Sequence, residues 1–176
     1  YDVTDGLAYG ELRSIFQDHE GVIWFVTQDG VSLFDGQHFV NLKPGGDFEG
    51  RIRRVFKDRS GVVWFGMAGG VRRYDPEAES WRIFTTDDGL VHNDVFSVYQ
   101  DGDGAMWFGT RNGLSRYDGK SWVTFTGQDG LPGPHVDEMA QDLDGNLWIA
   151  THNGVARYDG NTWNTFSEDD GLAGYW

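Results

Sequence analysis

The chain has 176 residues, of which 39% are hydrophobic and 15% aromatic, so it can form a packed core and is too aromatic for a disordered tail. Cysteine is absent, which excludes disulfides, thiolate metal sites and cysteine nucleophiles. The formal net charge of −14 argues against nucleic acid and anionic membranes as partners, and the lack of an apolar run of about 18 residues argues against membrane insertion.

Four copies of one sequence unit follow one another along the chain. Each copy has a tryptophan three residues after a glycine and ten residues before an aromatic-Asp pair. These tryptophans are Trp24, Trp64, Trp107 and Trp148, at spacings of 40, 43 and 41 residues. Because the length differences fall between the periodic runs, where loops tolerate them, we predict a single repeat domain over 1–176. Its units span about 7–46, 47–89, 90–130 and 131–171, with 1–4 and 172–176 as partial flanking segments.

Each copy contains four short strand-forming runs separated by turn signals. In the third copy the runs cover 95–99, 105–110, 114–117 and 121–126. Asn112 and Gly113 predict a two-residue hairpin turn between the second and third runs, because both turn positions need a positive φ. No segment has a helical period with capping signals. Four antiparallel strands per unit of about 41 residues predict an all-β propeller with one blade per copy.

The repeated aromatic residues have a structural interpretation. The second-strand tryptophan, and Trp81, Trp122 and Trp163 on the fourth strand, are predicted to pack between blades. The alternative is a series of platforms for sugars, but a residue that recurs in every blade is more often part of the core. The acidic turns around Asp101 and Asp142 are predicted to be Asx turns rather than calcium loops. Position twelve from Asp101 is Asn112, where a calcium loop has a bidentate Glu. No metal or cofactor is expected.

Residues 101–119 read Asp-Gly-Asp-Gly-Ala-Met-Trp-Phe-Gly-Thr-Arg-Asn-Gly-Leu-Ser-Arg-Tyr-Asp-Gly, and a similar pattern occurs in each copy. This pattern resembles the two-component regulator propeller repeat. The resemblance implies the extracytoplasmic sensor part of bacterial hybrid two-component regulators, located in the periplasm or outside the cell. It also implies a ring of about seven blades, within the usual range for propellers, whereas four are present here.

Candidate ligand-binding residues lie in two sets of loops. In a propeller, the loop before the first strand and the loop between strands two and three lie at the same end, around the central channel. Residues there differ among the four copies while the aromatic residues recur, which is typical of a binding site built on a constant scaffold. The candidates are Tyr9, Glu11, Arg13, Arg51, Arg53, His92, Asp94, Arg111, His135, Asp137 and His152. The alternative is that they are solvated loop residues without a ligand.

Three functions remain open from the sequence. The first is a non-enzymatic sensor domain that binds a carbohydrate or another small extracytoplasmic molecule. The second is a structural, self-assembling repeat protein. The third is a lyase or hydrolase that uses His92, His135 and His152, as propeller lyases such as virginiamycin B lyase use a histidine in that region. No catalytic motif supports the third function, so we expect no enzyme activity.

Charge and the chain ends give two further expectations. Eight basic residues between Asp47 and Thr86 make the second copy basic, which indicates either an acidic ligand or ordinary surface ion pairs. Tyr1 lies six residues before Leu7, as fourth-strand aromatics do in later copies, and 172–176 resemble a new first strand. We therefore expect the terminal blades to pack on further blades of a longer parent or of a neighbouring subunit, near Trp24 and Trp148.

Overall fold

The computed structural model describes residues 6–7, 11–18, 20–27, 30–42 and 51–173. Within these residues the strands form four separate antiparallel sheets of four strands each. In every sheet the strands follow chain order, so each sheet is a meander of consecutive hairpins. This is the propeller-blade arrangement, and the predicted all-β fold with four blades is confirmed.

The strand bounds are as follows. Blade 1 contains β1 (Leu12–Gln17), β2 (Ile23–Thr27), β3 (Val31–Phe34) and β4 (Phe39–Leu42). Blade 2 contains β5 (Ile52–Lys57), β6 (Val63–Met67), β7 (Gly70–Asp75) and β8 (Ser80–Phe84). Blade 3 contains β9 (Val95–Gln100), β10 (Met106–Thr110), β11 (Gly113–Tyr117) and β12 (Trp122–Phe125). Blade 4 contains β13 (Val136–Gln141), β14 (Leu147–Thr151), β15 (Gly154–Tyr158) and β16 (Trp163–Phe166).

Three hydrophobic clusters fill the gaps between successive blades. The face of each sheet that carries the second-strand tryptophan packs on the opposite face of the next sheet. Trp24, Trp64 and Trp107 are buried in the clusters between blades 1 and 2, 2 and 3, and 3 and 4, respectively. Trp81, Trp122 and Trp163 pack at the edges of the same three clusters. The predicted interblade role of these residues is therefore confirmed, because flat rings fill the space between sheets.

A recurring geometry at the turn between the first two strands of each blade holds the tryptophan in place. An aspartate six residues before the tryptophan accepts the indole N–H through Oδ2, at 2.7 to 2.9 Å. Its Oδ1 accepts the backbone N–H groups two and four residues later. These aspartates are Asp18, Asp58, Asp101 and Asp142. The turn interpretation of the acidic residues thus accounts for both oxygens of each carboxylate.

Two short 3₁₀ helices were not predicted. They cover Thr86–Asp88 and Glu168–Asp170, just after the fourth strands of blades 2 and 4. At the first, the Asp88 carboxylate accepts the backbone N–H of Thr85 at 2.9 Å, and Gly89 ends the turn with a φ of 116°. A helix of three residues is too short to show a hydrophobic period, so only its capping residues could predict it from the sequence.

The outer faces of the first and last blades differ from the internal ones. Leu12 and Ile15 of β1 are 46% and 55% exposed, whereas their counterparts in the other three blades are buried. On blade 4, Trp148 is half-buried and stacks on Phe166, with ring centroids 5.5 Å apart. Among the described strands, blade 4 makes no contact with blade 1 as extensive as the contacts between successive blades. Trp24 packs against blade 2, so the prediction that it lies beside a further blade was wrong. Leu12 and Ile15 lie on the outer face of blade 1 instead.

Helical structure is short in the described part of the chain. The two 3₁₀ turns are its helical elements, and neither has the length or apolar character needed to cross a bilayer.

Candidate functional site

The two predicted sets of loops meet at one end of the blades. Within blade 3 the Arg111 backbone N–H donates to the Asp94 carbonyl at 2.9 Å, and within blade 4 the His152 N–H donates to the His135 carbonyl at 3.2 Å. Between blades, the Gly113 N–H donates to the carbonyl of Pro134 at 2.7 Å. The hairpin after the second strand is therefore fixed against the loop before the first strand, as predicted.

A β-bulge at the start of each first strand determines which side chain points to this end. The register shifts by one residue, so the bulged strand has one residue without a direct partner. These extra residues occupy equivalent positions in the four blades. They are Arg13, Arg53, Phe96 and Asp137. Bulges re-aim a side chain. The side chain of Arg13 lies outside the described residues; the other three take part in one group of contacts.

Arg53 links blade 2 to blade 3 in this group. Its guanidinium lies 2.7 Å from Asp94 Oδ1 and 4.1 Å from the centre of the Phe96 ring. Arg111 Nη1 lies 3.9 Å from the other oxygen of Asp94, and the Arg111 side chain is 70% exposed. Asp94 therefore lies between two guanidinium groups, one held by packing and one reaching into solvent.

Phe96 links this ion pair to the histidines of blade 4. The Phe96 and His135 ring centroids lie 4.1 Å apart in an edge-on arrangement. His135 Nδ1 lies 2.6 Å from His152 Nε2, which lies 3.2 Å from Asp137 Oδ2. We call the connected residues the inner-strand network. Its members are Arg53, Asp94, Phe96, Arg111, His135, Asp137 and His152.

Burial is the main influence on the charge of His135. Desolvation lowers the pKa of His135 below its usual value; Asp137 opposes this effect, while His152 and Arg111 add to it. Burial therefore disfavours the protonated form of His135. Its Nε2 is buried and has no hydrogen-bond partner among the described residues. One nitrogen of this ring therefore faces His152, and the other faces the protein interior.

The remaining predicted residues lie apart from the network. His92 Nδ1 accepts the backbone N–H of Asp94 at 2.9 Å and shapes its own loop. Among the described contacts none joins His92 to His135 or His152. These two histidines contact each other within blade 4. Glu11 is exposed just before β1, and Arg51 is exposed just before β5. Tyr9 lies outside the described residues.

Three of the eight basic residues of blade 2 form ion pairs with other blades. Lys57 Nζ lies 3.1 Å from Asp18 Oδ2 of blade 1 and 2.8 Å from Glu20 Oε2. Arg54 reaches Glu138 of blade 4 at 3.1 Å, while Arg53 pairs with blade 3 as described above. For these three residues the contacts support the interpretation as ion pairs, since acidic side chains of the protein already pair with them.

Sequence reasoning missed Phe96, although a signal for it exists. The residues 11 positions before the four tryptophans are Arg13, Arg53, Phe96 and Asp137. Aligning the copies on the tryptophan therefore shows a variable position at the bulge of each first strand. Phe96 does not stand out in the sequence, because an aromatic residue is itself a strand former.

Comparison with known proteins gives one family match and several structural ones. Residues 89–112 match the model of the family described as two component regulator propeller. The extracellular domain of a putative hybrid two component system from B. thetaiotaomicron is 21% identical, with a TM-score of 0.77 over 94% of this chain and 26% of that one. A second such domain from the same organism is 24% identical, with a TM-score of 0.74 over 91% and 22%.

Virginiamycin B lyase from Staphylococcus aureus also has a similar structure. It is 15% identical, with a TM-score of 0.72 over 87% of this chain and 54% of the lyase. No curated protein matches the chain. The chain spans about a quarter of the length of the two extracellular domains. At these identities the structural matches establish the propeller fold. The chain is therefore a β-propeller protein whose residues 89–112 match the two component regulator propeller family.

Proposed function

We propose that the chain is a non-enzymatic sensor module, located outside the cytoplasm, that binds a carbohydrate at the inner-strand network. The observation that carries this proposal is the contrast between two kinds of position. The aromatic residues between blades recur in every copy, whereas the bulged residue is Arg in blades 1 and 2, Phe in blade 3 and Asp in blade 4, and its loop neighbours also vary. Such a constant scaffold with variable residues at one end is the usual arrangement of a binding site in a repeat protein.

The chemistry of the network suits a ligand rich in hydroxyl groups. Arg111 offers exposed N–H donors, Asp137 offers carboxylate acceptors, and His152 provides either role depending on its tautomer. The Asp137 and His152 side chains are 42% and 50% exposed, so both reach solvent. A groove of about 540 Å³ adjoins this end of blade 4, and His152 and Asn153 line it. This volume lies within the range typical of small-molecule sites.

The location outside the cytoplasm rests on the similar structures. Two of them are extracellular domains of putative two component systems, and the matching family is described as two component regulator propeller. The fold alone does not determine a function, so this part of the proposal is an analogy supported by the network.

Isothermal titration calorimetry with a panel of neutral and acidic oligosaccharides tests the sensor function. Calorimetry suits this protein because the indoles of Trp24, Trp64 and Trp107 lie between the blades and are hydrogen-bonded at the opposite ends of the strands, so their fluorescence is a poor reporter. We expect saturable binding of at least one oligosaccharide without turnover. Conversion of an oligosaccharide that stops in the His152→Ala variant would instead favour the lyase, and no binding across the panel would overturn the sensor proposal.

A separate observation supports a structural role. Each internal interface joins the tryptophan face of one blade to the face of the next blade that carries the counterparts of Leu12 and Ile15. Blade 4 has a tryptophan face with a half-buried Trp148, and blade 1 has the matching face with Leu12 and Ile15 exposed. We propose that a second copy of this chain covers these faces, blade 4 on blade 1. Two copies would form a ring of about eight blades, which is within the usual range for propellers.

A further inference from the structure

Three side chains at one end of blade 4 direct metal-ligating atoms at a common point. His135 and His152 each offer an imidazole nitrogen and Asp137 offers a carboxylate oxygen, and these atoms all lie within 4.8 Å of one another. The closest approach is the 2.6 Å between His135 Nδ1 and His152 Nε2. We propose that these three residues bind a divalent transition metal ion, Zn²⁺ or Ni²⁺, at a site with open coordination positions.

The distances fit a single ion. Nitrogen and oxygen ligands lie about 2.0 to 2.2 Å from Zn²⁺, so two ligands of one ion are roughly 3 Å apart. The Asp137 oxygens lie 3.2 Å from His152 Nε2 and 3.9 Å from His135 Nδ1. The observed separations bracket the required value, and small side-chain rotations bring all three atoms onto one ion.

The backbone holds the three ligands near this arrangement. His135 and Asp137 lie on either side of the first residue of β13, and Asp137 is the bulged residue of that strand. His152 lies in the β14–β15 hairpin, and its N–H bonds the His135 carbonyl. Phe96 of blade 3 packs edge-on against the His135 ring. Strand geometry and packing therefore hold His135 and Asp137 close to the ligating arrangement before any ion binds.

The ligand types determine which ions the site prefers. Two imidazoles and one carboxylate suit Zn²⁺, Ni²⁺ and Cu²⁺, whereas Mg²⁺ and Ca²⁺ prefer oxygen ligands. Three protein ligands leave further positions for water or for a bound molecule, as in open zinc sites. His135 Nε2 has no acceptor among the described residues. Because a second-shell partner usually strengthens a metal site, we expect binding roughly 10- to 100-fold weaker than in sites that have one.

Calorimetric titration of the full chain with ZnCl₂ and NiCl₂ tests this proposal, with MgCl₂ as the comparison ion. The variants are His152→Ala and Asp137→Ala, whose side chains are 50% and 42% exposed and therefore replaceable without loss of the core. The matched control is His38→Ala, a histidine 76% exposed in the β3–β4 hairpin of blade 1.

We expect one ion per chain, at least tenfold weaker binding in both blade 4 variants, and unchanged binding in the His38 control. The histidine ring resonances of His135 and His152 should shift together on addition of Zn²⁺. Lack of saturable binding, or binding that survives both blade 4 variants, would overturn the metal site. The oligosaccharide titration in metal-free buffer tests the sensor proposal separately, so the two proposals fail independently.

Discussion

The Asp101 carboxylate accepts the indole N–H of Trp107 at 2.7 Å, across the turn that joins β9 to β10. Its second oxygen accepts the backbone N–H groups of Asp103 and Ala105. One side chain therefore closes the turn and also fixes the ring that fills the gap to blade 4. The same pair recurs in each of the four blades, so the propeller repeats this contact together with its aromatic core.

The Asp101→Ala variant should be less stable by about 1 to 3 kcal/mol, because it leaves the Trp107 N–H and two backbone N–H groups without their acceptor. Urea unfolding followed by circular dichroism measures this change. The control is Asp103→Ala, which alters an exposed side chain of the same turn and should change the stability by no more than about 0.5 kcal/mol. Equal losses in the two variants would show that the Asp101–Trp107 contact has no special role.

Gly109 of β10 lies against Val136 of blade 4. A Cβ atom there would overlap Ser97 Oγ and lie 2.6 Å from Val136 Cγ1. We expect Gly109→Ala to lower the free energy of unfolding by about 1 to 3 kcal/mol, as overpacking does in other cores. Gly102→Ala is the matched control, since its nearest neighbour would be a Gln141 side-chain atom at 3.5 Å. A loss of stability no greater than that of the control would contradict tight packing between these blades.

The repeat period and the turn signals were sufficient to predict the blades. The tryptophan spacing predicted the number of blades, and the strands of blade 3 begin and end within one residue of the predicted bounds. The role of Asp101 as acceptor for the Trp107 indole was not predicted, because the six-residue separation has no secondary-structure period. That His135 and His152 contact each other within blade 4, while His92 bonds in its own loop, was not predicted. Sequence separation does not show which way a hairpin side chain points.

Protonation of three turn aspartates should lower the stability of the protein in acid. The pKa of Asp118 is lowered to about 2, chiefly because its carboxylate accepts a hydrogen bond from the backbone N–H of Ser121. The pKa of Asp142 is also lowered to about 2, chiefly by the hydrogen bond from the Trp148 indole N–H. The pKa of Asp159 is lowered to about 2 as well, chiefly by the hydrogen bond from the backbone N–H of Thr162. Because the folded values lie below the unfolded value of 3.8, this stabilisation is complete above about pH 4 and is lost as the pH falls through about 2.

Urea midpoints measured at about pH 4, 3 and 2 test this expectation, and the midpoint should fall at each step. In the Asp118→Asn variant, which loses one of the three titrating groups, the fall should be smaller. A wild-type midpoint that does not change with pH would contradict the lowered pKa values.

Sedimentation velocity tests the proposed ring of two copies. We expect wild-type protein to have the mass of a dimer and the Ile15→Glu variant to be a monomer, because a charge on the blade 1 face opposes burial. Leu143→Glu is the control, since Leu143 is fully exposed in the β13–β14 turn and should leave the dimer intact. A monomer for wild-type protein at every concentration would show that a second copy does not cover this face.

The central claim is that the aromatic residues stabilise the fold while the inner-strand network binds the ligand. The most direct test measures both the free energy of unfolding and the oligosaccharide affinity of the Arg111→Ala variant, with Lys120→Ala at the opposite end of blade 3 as control. Arg111 is largely exposed, so we expect its unfolding free energy to change by less than about 0.5 kcal/mol. Its affinity should fall about tenfold or more, whereas Lys120→Ala should change neither quantity. Unchanged affinity in Arg111→Ala, or a loss of affinity that simply follows a loss of stability, would contradict the claim.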